Sequence, residues 1–441
     1  MTRRYPAYRD SGIDWMGDVP RHWVTCRADE VLRSSSDSVD AEALNGRTVF
    51  HYSIPVVQET GTGAYEDGDE IESSKGVVRE PQVLVSKLNP RKGTVCIAVP
   101  ADELTVCSGE FIPLVPISAD LRYVFYTAMS DVFRQRLEAR VESATKSHQR
   151  VLPSDITKFP WAVPPLLEQT AIAAFLDRET AKIDALVAEQ RRLIDLLKEK
   201  RQAVISHAVT RGLNPDAKLK PSGVDWLGDV PEGWDVASVR RCSIRVVTGS
   251  TPSNESREAE QDEAFPWYTP GDFGDDLLLS ESARSVPSSV VLSGELRVFP
   301  ASSVLVVSIG ATLGKVGYSE MPCSANQQIN AIIPNDKVTT RFLAYSLAEK
   351  AAVMRFLSNA STIGIMNQEK TKEIFLALPP VQEQADIVRY LDNRTKELTA
   401  LSEIAETAIT LLQERRAALI SAAVTGKIDV RDLVPNQTEA A

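Results

Sequence analysis

The sequence predicts a mixed α/β chain in which two globular domains are separated by two long antiparallel helices that form a coiled coil. Three observations lead to this fold class. The 441 residues contain an internal repeat with an offset of about 215 residues. Each repeat ends in a long segment with apolar residues at helical spacing. The rest of each repeat holds short apolar runs bounded by Gly, Pro and Ser, which are typical of strands.

The repeat is carried by two pairs of segments. Residues 11–23 read SGIDWMGDVPRHW and residues 222–234 read SGVDWLGDVPEGW, with nine of thirteen positions identical. Residues 164–180 (PPLLEQTAIAAFLDRET) and 379–395 (PPVQEQADIVRYLDNRT) share eight of seventeen. Similar ends around dissimilar interiors suggest one duplicated scaffold with two related but different targets. A duplication without functional meaning is the alternative.

The globular domains are expected at residues 1–163 and 212–378. Apolar runs at 304–309, 317–318 and 329–333 predict strands of a twisted sheet in the second domain. Helices are expected at 118–137 in the first domain and at 340–357 in the second. The two interiors match only faintly, and residues 83–93 (VLVSKLNPRKG) align with residues 305–315 (LVVSIGATLGK) when the serines are placed together.

The long helices are expected at 164–211 and 379–426, and residues 427–441 are expected to form a flexible tail. A proline pair opens each helix, where its missing N–H has no helical partner. Glu168 and Glu383 follow in the first turn, which the helix dipole favours, and Gln169 and Gln384 come next. The candidate spacer and subunit-docking residues also include an apolar stripe: Ile183, Leu186, Leu193, Leu197, Leu398, Leu401, Leu411 and Leu412.

Each apolar stripe needs a partner, and the helix of the other repeat is the natural one. About 30 helical residues would span about 45 Å, which suits a spacer between two domains. The opposite, charged faces are either solvated or docking surfaces for other subunits.

Composition and cysteine spacing narrow the class of protein. No stretch approaches 18 apolar residues, so no transmembrane helix is expected. The first residues carry Arg3 and Arg4 without a following apolar run, unlike a signal peptide. The five cysteines lie far apart without a CxxC pair, which fits neither a disulfide framework nor a zinc site. These features predict a cytoplasmic protein without a bound metal.

Catalytic motifs were sought and not found. The sequence lacks GxxxxGK[ST], and its nearest string, at residues 310–316, is one residue short and has no Ser or Thr for magnesium. The NPP[FY] and DPPY strings of amino-methyltransferases are also missing. Four scattered histidines make a metal site or a catalytic triad improbable. The sequence therefore predicts a non-catalytic chain without a cofactor of its own.

Polar loops in both domains are candidates for nucleic-acid contact. In the second domain, hydroxyl and backbone N–H groups suit phosphates, and Asn and Gln can bind adenine in a bidentate way. The candidates there are Thr248, Ser250, Thr251, Ser308, Thr312, Lys315, Asn326, Gln327 and Gln328. In the first domain, two basic loops suggest phosphate binding. They supply Lys87, Arg91, Lys92, Lys146, His148 and Arg150. Satisfied turns and solvated charge are the alternatives.

The net charge of −11 argues against nucleic-acid binding when taken alone. The charge is uneven, however. Residues 1–220 hold 29 basic and 31 acidic residues, a net charge of −2, whereas residues 221–441 hold 20 and 29, a net charge of −9. Residues 255–263 alone contain five acids against Arg257. We expect basic loops to bind DNA despite the acidic balance, with weak affinity in the isolated chain.

Together these residues resemble the specificity subunits of type I restriction–modification systems, over about residues 8–430. The resemblance rests on the paired SG[IV]DW[ML]GDVP segments and the paired PPxxEQxxIxxxLDxxT segments. The strings TGSTP, SIGATLGKVG and NQQI are similar to one common class of target recognition domain. The first domain lacks TGSTP and NQQI and looks like a different subclass.

The resemblance implies two target recognition domains that each read one half of a split, asymmetric sequence in double-stranded DNA. It implies that the two helices set the unread spacer and that the subunit is non-catalytic. The implied partners are two methyltransferase subunits, which use S-adenosylmethionine, and two restriction subunits, which use ATP and Mg²⁺. The alternative is a protein–protein scaffold whose duplicated domains bind peptides or subunits and never touch DNA.

Overall fold

The computed structural model describes residues 4–141, 149–252, 264–292, 294–358 and 364–433. The chain divides into two compact units. Unit 1 consists of Met1–Arg191 and Glu406–Ala441, and unit 2 consists of Arg192–Ala405. Each unit thus combines one globular domain with a part of each long helix. The sequence predicted five segments: two domains, two long helices and a tail. This division stays a prediction, because each compact unit contains parts of both long helices.

Unit 1 contains thirteen strands among its described residues and the first of the two long helices. Its strands are β1 (Tyr8–Asp10), β2 (Asp18–Pro20), β3 (Val24–Arg27), β4 (Leu32–Arg33), β5 (Ser38–Val39), β6 (Thr48–Tyr52), β7 (Ala64–Asp67), β8 (Lys75–Val77), β9 (Gln82–Ser86), β10 (Val95–Ala98), β11 (Thr105–Ser108), β12 (Phe111–Pro116) and β13 (Pro160–Val163). Its helices are α1 (Ile54–Thr60), α2 (Leu121–Met129), α3 (Asp131–Glu138), α4 (Pro153–Thr157) and the start of α5 (Leu166–Arg211).

Unit 2 is built from a similar set of elements. Its strands are β14 (Leu219–Pro221), β15 (Asp229–Pro231), β16 (Asp235–Ser238), β17 (Ser243–Thr248), β18 (Ala264–Tyr268), β19 (Ser285–Pro287), β20 (Ser303–Val307), β21 (Val316–Ser319), β22 (Ser324–Ala325), β23 (Ile329–Pro334) and β24 (Phe375–Leu378). Its helices are α6 (Val239–Cys242), α7 (Ser288–Leu292), α8 (Thr340–Glu349), α9 (Ala351–Leu357), α10 (Gln368–Lys372) and the start of α11 (Val381–Val424). The chain is therefore mixed α/β, as the sequence predicts.

The central antiparallel sheets of the two units share one strand arrangement. The order is β10-β9-β12-β4 in unit 1. In unit 2, read in the corresponding direction, it is β21-β20-β23-β17. Ser86 of β9 pairs with Phe111 of β12, and Val307 of β20 pairs with Ile329 of β23. Ser86 therefore corresponds to Val307. The sequence alignment that placed Ser86 opposite Ser308 was therefore wrong by one residue. It relied on identical residues, whereas the pairing of the strands defines the true correspondence.

The two mid-domain helices are each interrupted. Residues 118–137 form α2 and α3, and residues 340–357 form α8 and α9, where one helix was expected in each region. The break in unit 1 lies at Ser130, whose backbone is extended and whose side chain accepts a hydrogen bond from Phe133 N. Such capping by serine offers the backbone an alternative to a continuous helix.

Both long helices begin directly after their proline pairs, as predicted. The carbonyl of Pro165 accepts hydrogen bonds from the N–H groups of Glu168 and Gln169, at 2.9 and 3.0 Å. In unit 1 the two helices run antiparallel. The Asp184 carboxylate of α5 pairs with Arg416 of α11 at 2.9 Å, and Arg178, one and a half turns earlier, donates to the carbonyl of Leu433, beyond the end of α11.

The repeated Asp and Thr of the helix motif bind each helix to its own domain. In unit 1 the Asp177 carboxylate accepts from Arg122 at 2.6 Å and from the Tyr126 hydroxyl at 2.7 Å. In unit 2 Asp392 accepts from Arg341 and Tyr345 at 2.6 and 2.9 Å. The pKa of both tyrosines is raised to about 12, mainly by burial. Their hydroxyls therefore stay protonated at neutral pH and act as donors.

The repeated glutamines hold the start of a shorter helix. Gln169 accepts from Asp120 N at 2.8 Å, and Gln384 accepts from Thr339 N at the same distance. The side-chain amides also donate to the carbonyls of the preceding prolines. Both glutamines are buried. They are therefore unavailable to another subunit, which corrects their prediction as docking residues.

The repeated glutamates connect each helix to the Trp that ends the repeated 13-residue segment, at position 23 or 234. Glu168 is buried and accepts from the Tyr5 hydroxyl at 2.6 Å and from Trp23 Nε1 at 3.0 Å. His22 Nε2 lies 2.7 Å from its other oxygen. In unit 2 Glu383 accepts from Trp234 Nε1 at 3.0 Å. Both carboxylates connect a long helix to its domain. The buried Glu168 is therefore unavailable for docking, which corrects its prediction, whereas docking by the half-buried Glu383 stays a prediction.

The apolar stripe is only partly buried. Three of its predicted members, Ile183, Leu197 and Leu398, are buried, and Leu412 is half-buried. The others are exposed in the isolated chain: Leu186, Leu193, Leu401 and Leu411. The stripe therefore contains both packed positions and aliphatic side chains that face solvent.

The beginning of the expected C-terminal tail is packed. Ile428 and Val430 are buried in the core of unit 1, and Arg431 pairs with Asp429 at 2.7 Å. The expectation of a flexible tail is therefore wrong for residues 427–433, because apolar side chains there complete the core. Residues 434–441 lie outside the described part of the chain.

Candidate nucleic-acid interface

The loop after β17 in unit 2 lies against the segment before β23. Gly249 N donates to the carbonyl of Ile329 at 2.9 Å, and Ser250 N donates to that of Ala325 at 2.8 Å. A Cβ on Gly249 would lie 2.2 Å from the carbonyl oxygens of Ala325 and Asn326, so this close approach requires glycine. The TGSTP and NQQI strings, about 75 residues apart, thus form one surface.

The Ser308 loop joins the same surface through its backbone. Ser308 N and Oγ both donate to the carbonyl of Gln328, at 2.7 and 2.8 Å. The carbonyl of Ser308 accepts from Met366 N at 2.8 Å, which brings in residues 364–368. Ser308 is only 2% exposed. It positions the loops but cannot reach a ligand, which corrects its prediction as a DNA contact.

The side chains at the centre of this surface are amides and hydroxyls. Asn326 Nδ2 donates to Gln328 Oε1 at 3.1 Å, and Thr251 Oγ1 donates to Gln327 Oε1. Thr251 and Gln327 are exposed, whereas Ser250, Asn326 and Gln328 are half-buried. The half-buried Thr248 donates to Asn330 Oδ1 at 2.8 Å. The surface therefore presents amides held in fixed positions, as base recognition requires.

Two further predicted residues of unit 2 belong to the loop before β21. Lys315 is exposed, and its Nζ donates to the carbonyl of Phe273 at 2.6 Å. Thr312 is half-buried and accepts from Lys315 N through its carbonyl. The Lys315 charge thus stabilises a neighbouring loop and stays accessible.

Sequence reasoning missed two residues of this surface. The exposed Arg297 donates from Nη1 to the carbonyl of Thr248 at 2.8 Å, and its N–H donates to Ser250 Oγ at 2.9 Å. The side-chain amide of Gln368 lies 3.0 Å from Thr248 Oγ1. No motif marks either residue, because their partners on this surface lie 47 or more residues away in the sequence.

The basic loops of unit 1 occupy the corresponding place. Lys87 N donates to the carbonyl of Glu110 at 2.9 Å, and Lys87 Nζ donates to the carbonyl of Gly109 at the same distance. Arg150 forms a bridge with Leu88 and pairs with the Glu110 carboxylate at 3.0 Å. Three segments distant in sequence thus meet here.

Two other predicted cations of unit 1, Arg91 and Lys92, are less tightly held. Arg91 and Lys92 are exposed, and Lys92 Nζ lies 3.4 Å from Gln58 Oε1. Lys146 and His148 lie outside the described residues. So does the acidic stretch at residues 255–263. The exposed Arg91 and Lys92 suit contact with phosphates.

Metal sites and membrane-spanning helices are both absent among the described residues. No group of three or more His, Cys, Asp or Glu side chains is placed to hold a metal ion. No described helix has the length and apolar character needed to cross a membrane.

Known proteins similar to this chain include type I restriction enzyme specificity subunits. Residues 235–410 match the family model described as the type I restriction modification DNA specificity domain. The type I restriction enzyme MjaIX specificity subunit of Methanocaldococcus jannaschii is 29% identical over 187 residues, which cover 41% of this chain and 43% of that protein. The putative type I restriction enzyme MjaX specificity subunit of the same organism is 20% identical, over 94% of this chain and 96% of that protein.

A solved structure supports the fold over nearly the whole chain. It comes from work on the complex assembly and conformational transition of the type I R-M system. The likeness has a TM-score of 0.75 at 19% identity and covers 92% of this chain and 98% of the other. The repeated motifs, the two long helices and the matches over nearly the full length agree. Residues 235–410 therefore match the type I restriction modification DNA specificity domain, and the chain as a whole is similar to type I restriction enzyme specificity subunits.

Proposed function

We infer that this chain is the DNA sequence-specificity and scaffold subunit of a type I restriction–modification complex. It is a non-catalytic subunit. Each globular domain reads one half of a bipartite, asymmetric DNA site, and the long helices set the length of the unread spacer between the halves.

The observation that carries this proposal is the pair of surfaces built on one strand arrangement. In unit 2 the surface presents amides beside Arg297, and in unit 1 it presents Lys87, Glu110 and Arg150. The same backbone thus displays two different sets of hydrogen-bonding groups. Base edges in the major groove are distinguished by such sets, so two readers of unlike half-sites are the function that this arrangement supports best.

The catalytic partners would supply the chemistry. We propose two methyltransferase subunits that use S-adenosylmethionine and, in the full complex, two restriction subunits that use ATP and Mg²⁺. This chain would bind none of these cofactors itself. The complex would work in the cytoplasm, on the DNA that it modifies. Its partners would also supply much of the positive charge that the acidic balance of this chain lacks.

A matched pair of substitutions tests the reading of the second half-site. We expect Gln327→Ala and Gln328→Ala to alter only the half-site read by unit 2, because a good bidentate amide–base pair contributes about 1–3 kcal/mol of discrimination. Long-read methylome sequencing of cells that carry each variant with its methyltransferase measures both half-sites at once. Gln202→Ala, an exposed change on α5, is the control. Simultaneous change of both half-sites would contradict modular reading.

The exposed leucines of the long helices are the proposed docking surface for the methyltransferase subunits. Leu401 and Leu411 are 49% and 58% exposed, and apolar stripes on helices need a partner. We expect Leu401→Glu or Leu411→Glu to weaken copurification with the methyltransferase at least about tenfold, as for a central interface residue. Leu292→Glu, at an 86% exposed site on α7, should leave copurification unchanged. Equal copurification of all three variants would place docking elsewhere.

A further inference from the structure

The strand arrangement defines which residue of unit 1 replaces each base-reading candidate of unit 2. Lys87 N donates to the carbonyl of Glu110, and Ser308 N donates to that of Gln328. Glu110 directly precedes β12, and Gln328 directly precedes β23. Glu110 therefore stands where Gln328 stands, although no sequence motif connects the two residues.

A third segment meets this position in both units. Leu88 forms a bridge with Arg150, and Ile309 forms one with Ile365. The carbonyl of Lys87 accepts from Val151 N at 3.1 Å, just as Ser308 accepts from Met366 N. Arg150 thus occupies a defined place on the surface, fixed by backbone hydrogen bonds on either side of it.

The side chains of Glu110 and Arg150 contact each other in a two-point geometry. Arg150 Nε lies 3.2 Å from Glu110 Oε2, and Arg150 Nη2 lies 3.0 Å from Oε1. The Arg150 side chain is 57% exposed and that of Glu110 is 28% exposed. An ion pair this open to water adds little to stability, so its removal should leave the fold intact.

The chemistry of this pair differs from that of the amides in unit 2. A guanidinium donates in a bidentate way to O6 and N7 of guanine, and a carboxylate accepts from N4 of cytosine. An aligned Arg and Glu therefore offer complementary groups to the two bases of one G·C pair. Lys87, whose Nζ bonds the Gly109 carbonyl, keeps the loop under Glu110 in place.

We propose that Arg150 and Glu110 of the first domain are its specificity-determining pair and read one G·C base pair of the first half-site. The assignment rests on the proposed function and adds to it the residues and the kind of base pair. The rigid backbone places the side chains, and the exposed guanidinium turns from the carboxylate towards the guanine edge on binding.

The test uses the complete complex of this chain with its methyltransferase and long-read methylome sequencing. Arg150→Lys keeps the charge but loses the bidentate donors, and Glu110→Gln removes the acceptor carboxylate. Both variants are expected to lower the preference for a G·C pair at one position of the first half-site by about 5- to 150-fold. The second half-site is expected to stay unchanged.

A matched ion pair provides the control. Arg79 Nε and Asp37 Oδ2 lie 2.8 Å apart in the same unit, with side chains 71% and 53% exposed. Arg79→Lys and Asp37→Asn are expected to change no position of the site. Unchanged thermal unfolding of all four variants would confirm that they are folded.

Two results separate the possible failures. If Arg150→Lys methylates the wild-type sites with wild-type preference while Arg150→Gln weakens methylation evenly, Arg150 is a phosphate contact and the assignment is wrong. The proposed function would still stand in that case. If the unmodified complex methylates no two-part site, the proposed function itself fails, whatever the variants do.

Discussion

Inserting four residues into both long helices is expected to lengthen the unread spacer by about two base pairs and to leave both half-sites unchanged. The insertions belong after Arg191 and after Ala405, because the sequence boundary between the two compact units falls there within each helix. Four helical residues add about 6 Å, and consecutive base pairs of DNA are about 3.4 Å apart. The cores of both units stay intact, so the recognised bases should not change. Methylome sequencing of the modified complex measures the spacer directly.

A control insertion separates helix length from chain length. Residues 214–216 connect α5 to β14 and are exposed, so four residues added there change neither helix. The spacer should keep its wild-type length in that variant. An unchanged spacer in the double helix insertion would show that the helices do not set the distance.

Replacing Glu168 by alanine is expected to destabilise unit 1 by about 2–4 kcal/mol. The Tyr5 hydroxyl and Trp23 Nε1 would lose their buried acceptor, and each unsatisfied donor costs about 1–3 kcal/mol. Burial is the largest cause that raises the pKa of Tyr5, and it remains in the variant, so Tyr5 cannot relieve the loss by ionising. Urea unfolding combined with hydrogen exchange, resolved by peptide, measures the effect and assigns it to a unit.

Two further variants make this experiment specific. Glu168→Gln keeps an acceptor oxygen and should cost about 1 kcal/mol, the value of one ordinary hydrogen bond. Glu383→Ala removes the acceptor of Trp234 Nε1 and should act on unit 2 alone. Equal destabilisation of both units by Glu168→Ala would contradict the local role of this carboxylate.

Local signals predicted the two long helices and three strands of unit 2. The proline pairs mark the starts of α5 and α11 because proline suits the first helical positions. Runs such as residues 329–333 became β23 because short apolar segments between turns are typical of buried strands. The break at Ser130 was missed, since a serine inside an apolar pattern reads equally well as a helical residue.

The roles of the repeated motif residues could not be predicted from spacing. Glu168 sits in the first turn, where the helix dipole alone would explain it. Its donors Tyr5 and Trp23 lie about 145 or more residues earlier in the chain. Asp177 likewise finds Arg122 and Tyr126 only in the folded unit. A repeated motif shows that its residues matter to the fold. The contacts they make depend on hydrogen-bond donors elsewhere in the chain, which the motif does not reveal.

The sequence predicted several individual residues of the candidate interface, but it did not predict how they come together. Gln327 and Gln328 were singled out for their chemistry, and they do lie on an exposed surface. Ser308 was chosen for the same reason, yet it is buried under the Gln328 carbonyl. Arg297 and Glu110 were not chosen, because nothing near them in sequence shows where they lie.

By itself, the sequence determined the duplication, the mixed α/β class, the long helices and the family resemblance, because these depend on repeats and periodicities within short segments. The tertiary structure alone decided which residue of one domain corresponds to which residue of the other. It also decided which polar side chains stay exposed and which side chains, such as Arg150 and Glu110, meet. The physical reason is that hydrogen bonds between strands distant in the chain fix these positions to within one residue, and a one-residue shift exchanges the buried and exposed faces.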